Sequence, residues 1–347
     1  MTCIEDLANE LLLEIFQYLD SYLLYKAFWN LNIRMRNLIY YSSSPLTIDS
    51  NQFKEEDLSD YYRGFIVPNK HRIISLHSGP WFDIKSFFQS VTCIDILRSV
   101  RLSHTKITEL EKSIKLLTFS SQLLLLDISV DSSYFSWDDL GRIYELIFRL
   151  PALKYIRLSS KAFNPMISLE PNFNNQFSTI ETMIIAHACC LDQLLILLSY
   201  TPRLVRLIYE SPLRLNRNSR TSVSIALSNL RKISIRKCYL NFDEFETFIK
   251  PICSKLERIR LNTHCDSAYL DACRWERLIS YHMPHLHQFY FTHEESFYSR
   301  FILAGYHYLI SRFISSFWIE RQWIFQLEIS EDRDGDKEIT YSICSNK

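Results

Sequence analysis

A six-residue window, L-x-x-Φ-x-Φ with Φ apolar, returns at an almost constant interval through most of this 347-residue chain. It reads Leu97…Val100…Leu102, Leu123…Leu126…Ile128, Leu153…Ile156…Leu158 and Ile180…Met183…Ile185. It continues as Leu204…Leu207…Tyr209, Leu230…Ile233…Ile235, Leu256…Ile259…Leu261 and Leu286…Phe289…Phe291. Successive anchors lie 26, 30, 27, 24, 26, 26 and 30 residues apart. A fainter copy, His71…Ile74…Leu76, sits another 26 residues upstream, and Leu46-x-Ile48 reads as an earlier edge. A fixed period of this length marks a repeat architecture, in which one unit cannot bury its apolar face alone and stacking its neighbours does. Apolar residues at alternate positions make each window a short strand.

The segments between windows have helical spacing. Trp137, Leu140, Tyr144, Ile147, Phe148 and Leu150 fall on one face, with Asp138 and Asp139 near the start and Pro151 just past the end. Phe242, Phe245, Phe248 and Ile249 do the same before Pro251, and Leu191, Leu194, Leu195 and Leu198 before Pro202. Strand, helix, then Pro-x-Leu into the next strand resembles the leucine-rich-repeat family and implies an α/β solenoid, or horseshoe, over residues 42–347. The asparagine that usually follows the strand is mostly absent, Asn262 being the nearest, so the repeats are divergent. Two packed α/β domains are the alternative reading. A C-terminal cap is expected from about residue 296. Ile302, Tyr306, Leu309, Phe313 and Phe317 give Phe301–Ile319 an apolar face, while His307 and Arg312 argue for a packed helix and against a membrane span. Trp323–Ile329 and Glu338–Ile343 alternate around the turn-forming Asp334-Gly335, a hairpin.

The first forty residues differ. Leu7, Leu11, Leu12, Ile15, Phe16 and Leu19 share a helical face, with Asp6 and Glu10 near its positive end. Leu23, Leu24, Ala27, Phe28 and Leu31 form a second apolar group, and Met35, Leu38 and Ile39 a third. Three short helices bury little alone and usually lean on a partner. Leu7-x-x-Glu10-Leu11-Leu12-x-x-Ile15-Phe16-x-x-Leu19, followed by Arg34-Met35-Arg36-Asn37-Leu38, resembles an F-box over residues 2–41. It departs from that pattern at Ala8, where the family has proline, and at Met35, where it has an aromatic. The resemblance implies a domain, residues 1–41, that binds a Skp-type adaptor and through it a cullin–RING ubiquitin ligase. It carries an adaptor-facing set over to Leu7, Ala8, Glu10, Leu11, Leu12, Ile15, Phe16 and Leu19. A plain amphipathic start to the chain is the other reading of the same residues.

Other chemistry is mostly absent. The chain holds five isolated glycines where roughly 24 would be usual, so glycine-rich phosphate loops are excluded. Nine scattered cysteines without C-x-x-C, and no readable signal peptide, suit a reduced intracellular chain of the cytoplasm or nucleus. Cys265, Cys273, His282, His285, His287 and His293 have no usual zinc spacing. The acidic run Asp332–Asp336 lacks the glycine and glutamate positions of a calcium loop. No G-x-S-x-G occurs. No cofactor, metal or enzyme activity is expected.

What remains is the outward side of the strands. Lys+Arg and Asp+Glu are both 39, yet the third, fifth and seventh positions of the eight windows carry Arg101, Arg157, Arg206, Lys232, Arg236, Arg258 and Arg260 against Asp127 and Glu210. Guanidinium forks suit carboxylate and phosphate oxygens, so the target-binding set is expected to be Arg206, Lys232, Arg236, Arg258 and Arg260, facing an acidic or phosphorylated protein. Incidental charge on a solvated face is the competing explanation. Aromatics on that side are only Tyr155 and Tyr290, too few for a nucleic-acid platform. The sequence thus leads to the substrate-recognition subunit of an SCF-type ligase, with a non-catalytic leucine-rich-repeat scaffold as the alternative.

Overall fold

The computed structural model describes residues 3–52, 59–79, 87–88, 94–130, 139–162, 167–172, 177–216, 225, 227–264, 266–297, 311–331 and 337–345. The chain is mixed α/β and divides into two compact units, Met1–Ser133 with Glu145–Lys161, and Tyr134–Tyr144 with Ala162–Lys347. Among the described residues no helix is long and apolar enough to cross a membrane.

The first unit opens with α1 (Asn9–Gln17), α2 (Ser21–Leu24), which runs into a π-helical turn at Tyr25–Trp29, and α3 (Ile33–Tyr41). The Asp20 carboxylate accepts the N–H groups of Tyr22 and Leu23, and Asn32 that of Met35, so both later helices start on a side-chain cap. Leu12, Phe16, Leu24, Phe28, Met35 and Ile39 are buried, with the Phe16 and Phe28 rings 5.0 Å apart. Arg34 donates to the carbonyls of Glu5 (2.5 Å) and Leu7 (2.6 Å), tying α3 to the start of α1. This small group also borrows an interior from the next segment. Buried Tyr61 donates to Ser21 Oγ at 2.7 Å, and Phe65 lies 5.1 Å from Trp29.

Five parallel strands follow in chain order: β1 (Leu46–Asp49), β2 (Ile73–Ser78), β3 (Ser99–Thr105), β4 (Leu125–Val130) and β5 (Tyr155–Ser160). Helix α4 (Ile107–Leu117) joins β3 to β4 and buries Leu110, Ile114 and Leu117. Helix α5 (Gly141–Phe148), in which the division between units falls, precedes β5. Its expected start at Trp137 and Asp138 lies outside the described residues. The repeat register holds: Val100 pairs with Leu126, Leu126 with Ile156 and Ile128 with Leu158, all buried.

The second unit continues the plan through β6 (Thr182–Ala186), α6 (Leu191–Ser199), β7 (Arg206–Leu213), β8 (Lys232–Cys238), α7 (Phe242–Ile249), β9 (Arg258–His264), α8 (Ala272–His282) and β10 (Gln288–Phe297). Leu207, Ile233, Ile259 and Phe289 lie side by side in register and are buried. Asn241 and Glu244 close a capping box on α7, and Asp271 caps α8. Trp275 is wholly buried among Phe242, Phe245, Phe289 and Phe291, and its indole N–H donates to the Tyr269 carbonyl at 2.8 Å.

At the end of the chain, the described part of the expected Phe301–Ile319 helix is a 3-10 turn (Ser311–Ile314) and the short α9 (Ser316–Glu320). Residues 301–310 lie outside the described residues. Phe313 and Phe317 are buried, as the apolar face requires, but Ser315 starts α9 in an extended conformation and breaks the run. The hairpin forms as β11 (Trp323–Glu331) and β12 (Lys337–Ser345), its link again outside the described residues. It joins the sheet edge: β12 lies antiparallel between β10 and β11, giving the order β6-β7-β8-β9-β10-β12-β11. Among the described residues this order does not close into a barrel.

Candidate functional site

In the second unit the inward side chains of β7, β8 and β9 form the core, so the alternate residues face out. Arg206, Lys232 and Arg258 open these strands and share one register row, with Gln288 next across on β10. The following outward row is Ile208, Ser234, Arg260 and Tyr290. Neighbouring strands lie ~4.8 Å apart. With Arg236 these residues, Gln288 excepted, line a shallow depression of about 210 Å³. Arg206, Arg236, Arg258 and Arg260 are exposed, and Lys232 and Tyr290 half-buried. All five expected target-facing residues thus come together.

Their partners leave the charge largely uncancelled. Arg236 reaches Glu210 at 3.2 Å at one edge. The Arg258 guanidinium donates to the Gln288 side-chain carbonyl, and that of Arg260 lies 5.3 Å from the Tyr290 ring centre. The side chains of Arg206 and Lys232 form no hydrogen bond or ion pair with the described residues. Beyond the depression a second group continues the face: Arg214 lies over Tyr239 (4.6 Å), Tyr239 stacks on His264 (5.3 Å), and His264 meets Glu294 at 3.5 Å. A period-two count over the seven positions of a window does not reach these residues. Register shifts after Tyr209 and Ile235 carry the strands past that count.

The outward face of the first unit is built differently. Asp49, His77, Arg101, Asp127 and Arg157 occupy one register row across β1 to β5. His77 Nδ1 lies 3.4 Å from Asp49, and Arg157 lies 3.6 Å from Asp127. Ser103 Oγ is 3.4 Å from His77 Nε2, so serine, histidine and aspartate stand in a relay order. Both contacts are long for hydrogen bonds, and the Asn51 amide also lies against the imidazole, 3.0 Å from Nε2 and 3.3 Å from Nδ1. We read this group as a cross-strand polar ladder.

The expected adaptor-facing residues separate by burial. Leu12 and Phe16 belong to the interior of the helical group and offer no surface. That corrects the single apolar face drawn from spacing, since α3 and the π-turn decide which stripe is covered. Leu11 is 49% exposed, Ala8 and Glu10 are exposed, and Leu7, Ile15 and Leu19 are half-buried. Ala8 holds φ −59° and ψ 151°, a backbone that a proline would adopt. Eight of the eighteen exposed large hydrophobic side chains among the described residues lie within residues 4–41, among them Ile4, Leu23, Leu31 and Ile33.

The histidines and cysteines away from these faces divide between surface and interior. His285 and His287 point outward beside buried Leu286, while His293 is buried against Thr263 Oγ1 at 2.9 Å; Cys265 lies outside the described residues. Buried Tyr144 and His187 meet at 2.6 Å, and Tyr209 donates to the Cys189 carbonyl at 2.7 Å. Burial lowers the His187 and His293 pKa values to about 4 and raises the Cys189 thiol to about 12. His187, His293 and Cys189 are buried and have no exposed face on which to meet a substrate. In comparison with protein-family models and with curated proteins, the chain matches none.

Proposed function

We propose that this protein is the substrate-recognition subunit of an SCF-type cullin–RING ubiquitin ligase. Residues 1–41 act as an F-box that docks a Skp-type adaptor, and the divergent leucine-rich-repeat-like region holds the target on its basic strand face. The protein performs no bond chemistry in this reading. It bridges target and ligase, turning a bimolecular encounter into a local one, in the cytoplasm or nucleus.

The observation that carries the reading is the apolar surface left by α1 to α3. Leu11, in the motif that resembles an F-box, is half-exposed, and Ile33 is 75% exposed on a group whose core is already filled. Covering a side chain of this kind contributes roughly 1.5–3 kcal/mol. Leu11→Asp in the full-length chain is expected to abolish capture of adaptor and cullin while leaving the melting temperature nearly unchanged. Undiminished capture by that variant overturns the assignment. One observation favours the alternative scaffold: Tyr61 and Phe65 pack on these helices, as they would on the N-terminal cap of a repeat array. A cap of that kind binds no adaptor in the unmodified chain either.

A further inference from the structure

We propose that the helix side of the second unit holds a docking groove for an amphipathic helix of a partner protein, apolar along one face and basic beside it. The groove stands where the repeat omits an element. A helix joins β6 to β7, another β8 to β9 and a third β9 to β10. Among the described residues none joins β7 to β8. In a stacked repeat each helix covers the flanks of its neighbours, so an omitted one leaves two flanks facing a gap. The chain leaves β7 beside the start of α6, where the Leu191 N–H donates to the Arg214 carbonyl at 2.9 Å. The gap measures about 440 Å³. Leu191 and Leu195, one turn apart, line it from α6. Glu244, Thr247, Phe248 and Pro251, at i, i+3, i+4 and i+7, line it from α7 and the turn that follows.

Shape and charge together set the occupant. The lining runs from Phe248 and Ile252, at most 3% exposed, to Leu215 at 41%, so apolar surface continues from the floor to the rim. The omitted element is itself a helix, and a gap between two helix flanks suits another helix laid along them. Such a helix anchors through apolar residues at i, i+3, i+4 and i+7. The charge at the rim is of one sign: Asp243 and Glu244 line it, and among the described lining residues no Lys, Arg or His does. Arg274 holds Asp243 from α8, and Glu244 accepts the Asn241 N–H through one oxygen. The other Glu244 oxygen receives no hydrogen bond from the described residues. A helix with Lys or Arg beside its apolar stripe complements this rim, and one with Asp or Glu there is repelled. The basic strand face shares no residue with this groove, so the proposal does not rest on the ligase reading.

The test presents the full-length protein to two displayed libraries of helices ~18 residues, or five turns, long. One carries leucines at i, i+3, i+4 and i+7, and the other has the same composition in scrambled order. The remaining positions are drawn equally from Lys, Glu and Gln. The ordered library is expected to be retained at least about tenfold better, with Lys enriched over Glu in the retained sequences. Leu215→Asp is expected to weaken retention about tenfold or more, by the loss of one apolar anchor. Thr247→Trp, at an exposed position of the rim, fills the groove and is expected to abolish retention although it adds apolar surface. Asp243→Lys is expected to move the retained sequences towards Glu. Tyr281→Asp, at an exposed residue of α8 outside the groove, is the control and leaves retention unchanged. Thermal melts confirm that each variant is folded. Equal retention of the two libraries overturns the proposal, as does a Thr247→Trp variant that binds like the parent. Saturable binding of a neutral apolar dye, Nile red, that the retained helices do not displace overturns it in favour of a small-molecule site. Adaptor capture is expected to stay at the parent's level in every variant, so failure here and failure of the F-box reading are distinguishable.

Discussion

The two units are built alike on the inside and differently on the outside. In both, the repeated window places Leu, Ile or Val in register on the buried side of a parallel sheet. In the first unit the charged outward row mixes both signs, from Asp49 through His77, Arg101 and Asp127 to Arg157. In the second, Arg206, Lys232 and Arg258 repeat one sign. Opposite charges facing across strands stabilise a sheet, and like charges do the reverse. The first face can therefore be explained by folding alone. The second works slightly against folding, which is the cost that the proposed anionic partner would offset.

The largest effect tests the sameness of the interiors. Leu158 and Leu261 are equivalent buried positions in β5 and β9, each no more than 1% exposed. Replacing either by alanine is expected to cost about 2–5 kcal/mol through the cavity left behind. Ser234→Ala, on the outward side, is expected to cost under about 0.5 kcal/mol. Chemical denaturation read by local hydrogen exchange measures each. A large penalty at one leucine and a trivial one at the other would break the claim that the same window builds both interiors.

Acid separates the units next. His187 and His293 are buried in the second, and burial lowers both to about 4, with His264 adding to the effect at His293. The described histidines of the first unit, His71, His77 and His104, are exposed or half-exposed. Unfolded histidine titrates near 6.5, so between about 6.5 and 4 the unfolded chain binds protons that the folded chain excludes. Stability contributed by the neutral buried rings is full above pH 6.5 and is lost as pH falls towards 4, roughly 3 kcal/mol for each. Hydrogen exchange at pH 7 and pH 4.5 is expected to show the second unit losing protection first. Parallel loss in both units would assign the acid response elsewhere.

Much of this was legible in the sequence for a physical reason. A strand with one covered face declares its register through period two, and the eight windows all became strands beginning two residues after their anchors. The five basic residues came together because register follows from the same count. What escaped depends on partners distant in sequence. Leu11 and Leu12 are neighbours with the same side chain, and only the packing of α3 and the turn at Tyr25–Trp29 leaves one outside and the other buried. Arg214, Tyr239 and His264 were missed because bulges shift the outward count by a residue. The pairing of β12 with both β10 and β11 is a choice of partner that alternation within a strand does not encode.

The smallest effect bears most directly on the contrast between the faces, because it predicts opposite signs from one kind of substitution. Lys232 stands between Arg206 and Arg258, and Asp127 between Arg101 and Arg157. Lys232→Gln removes a charge repelled from both sides and is expected to raise stability by a few tenths of a kcal/mol. Asp127→Asn removes a charge attracted from both sides, including the contact at 3.6 Å with Arg157, and is expected to lower it by about the same amount. For units of this size either change moves Tm by about 1 °C, within reach of replicate scanning calorimetry. Both shifts are expected to shrink as salt rises to about 1 M, where the screening length falls to roughly 3 Å. Shifts of the same sign, or shifts that persist in high salt, would mean that packing governs these positions. The single-sign row would then carry no electrostatic strain for the proposed anionic partner to relieve.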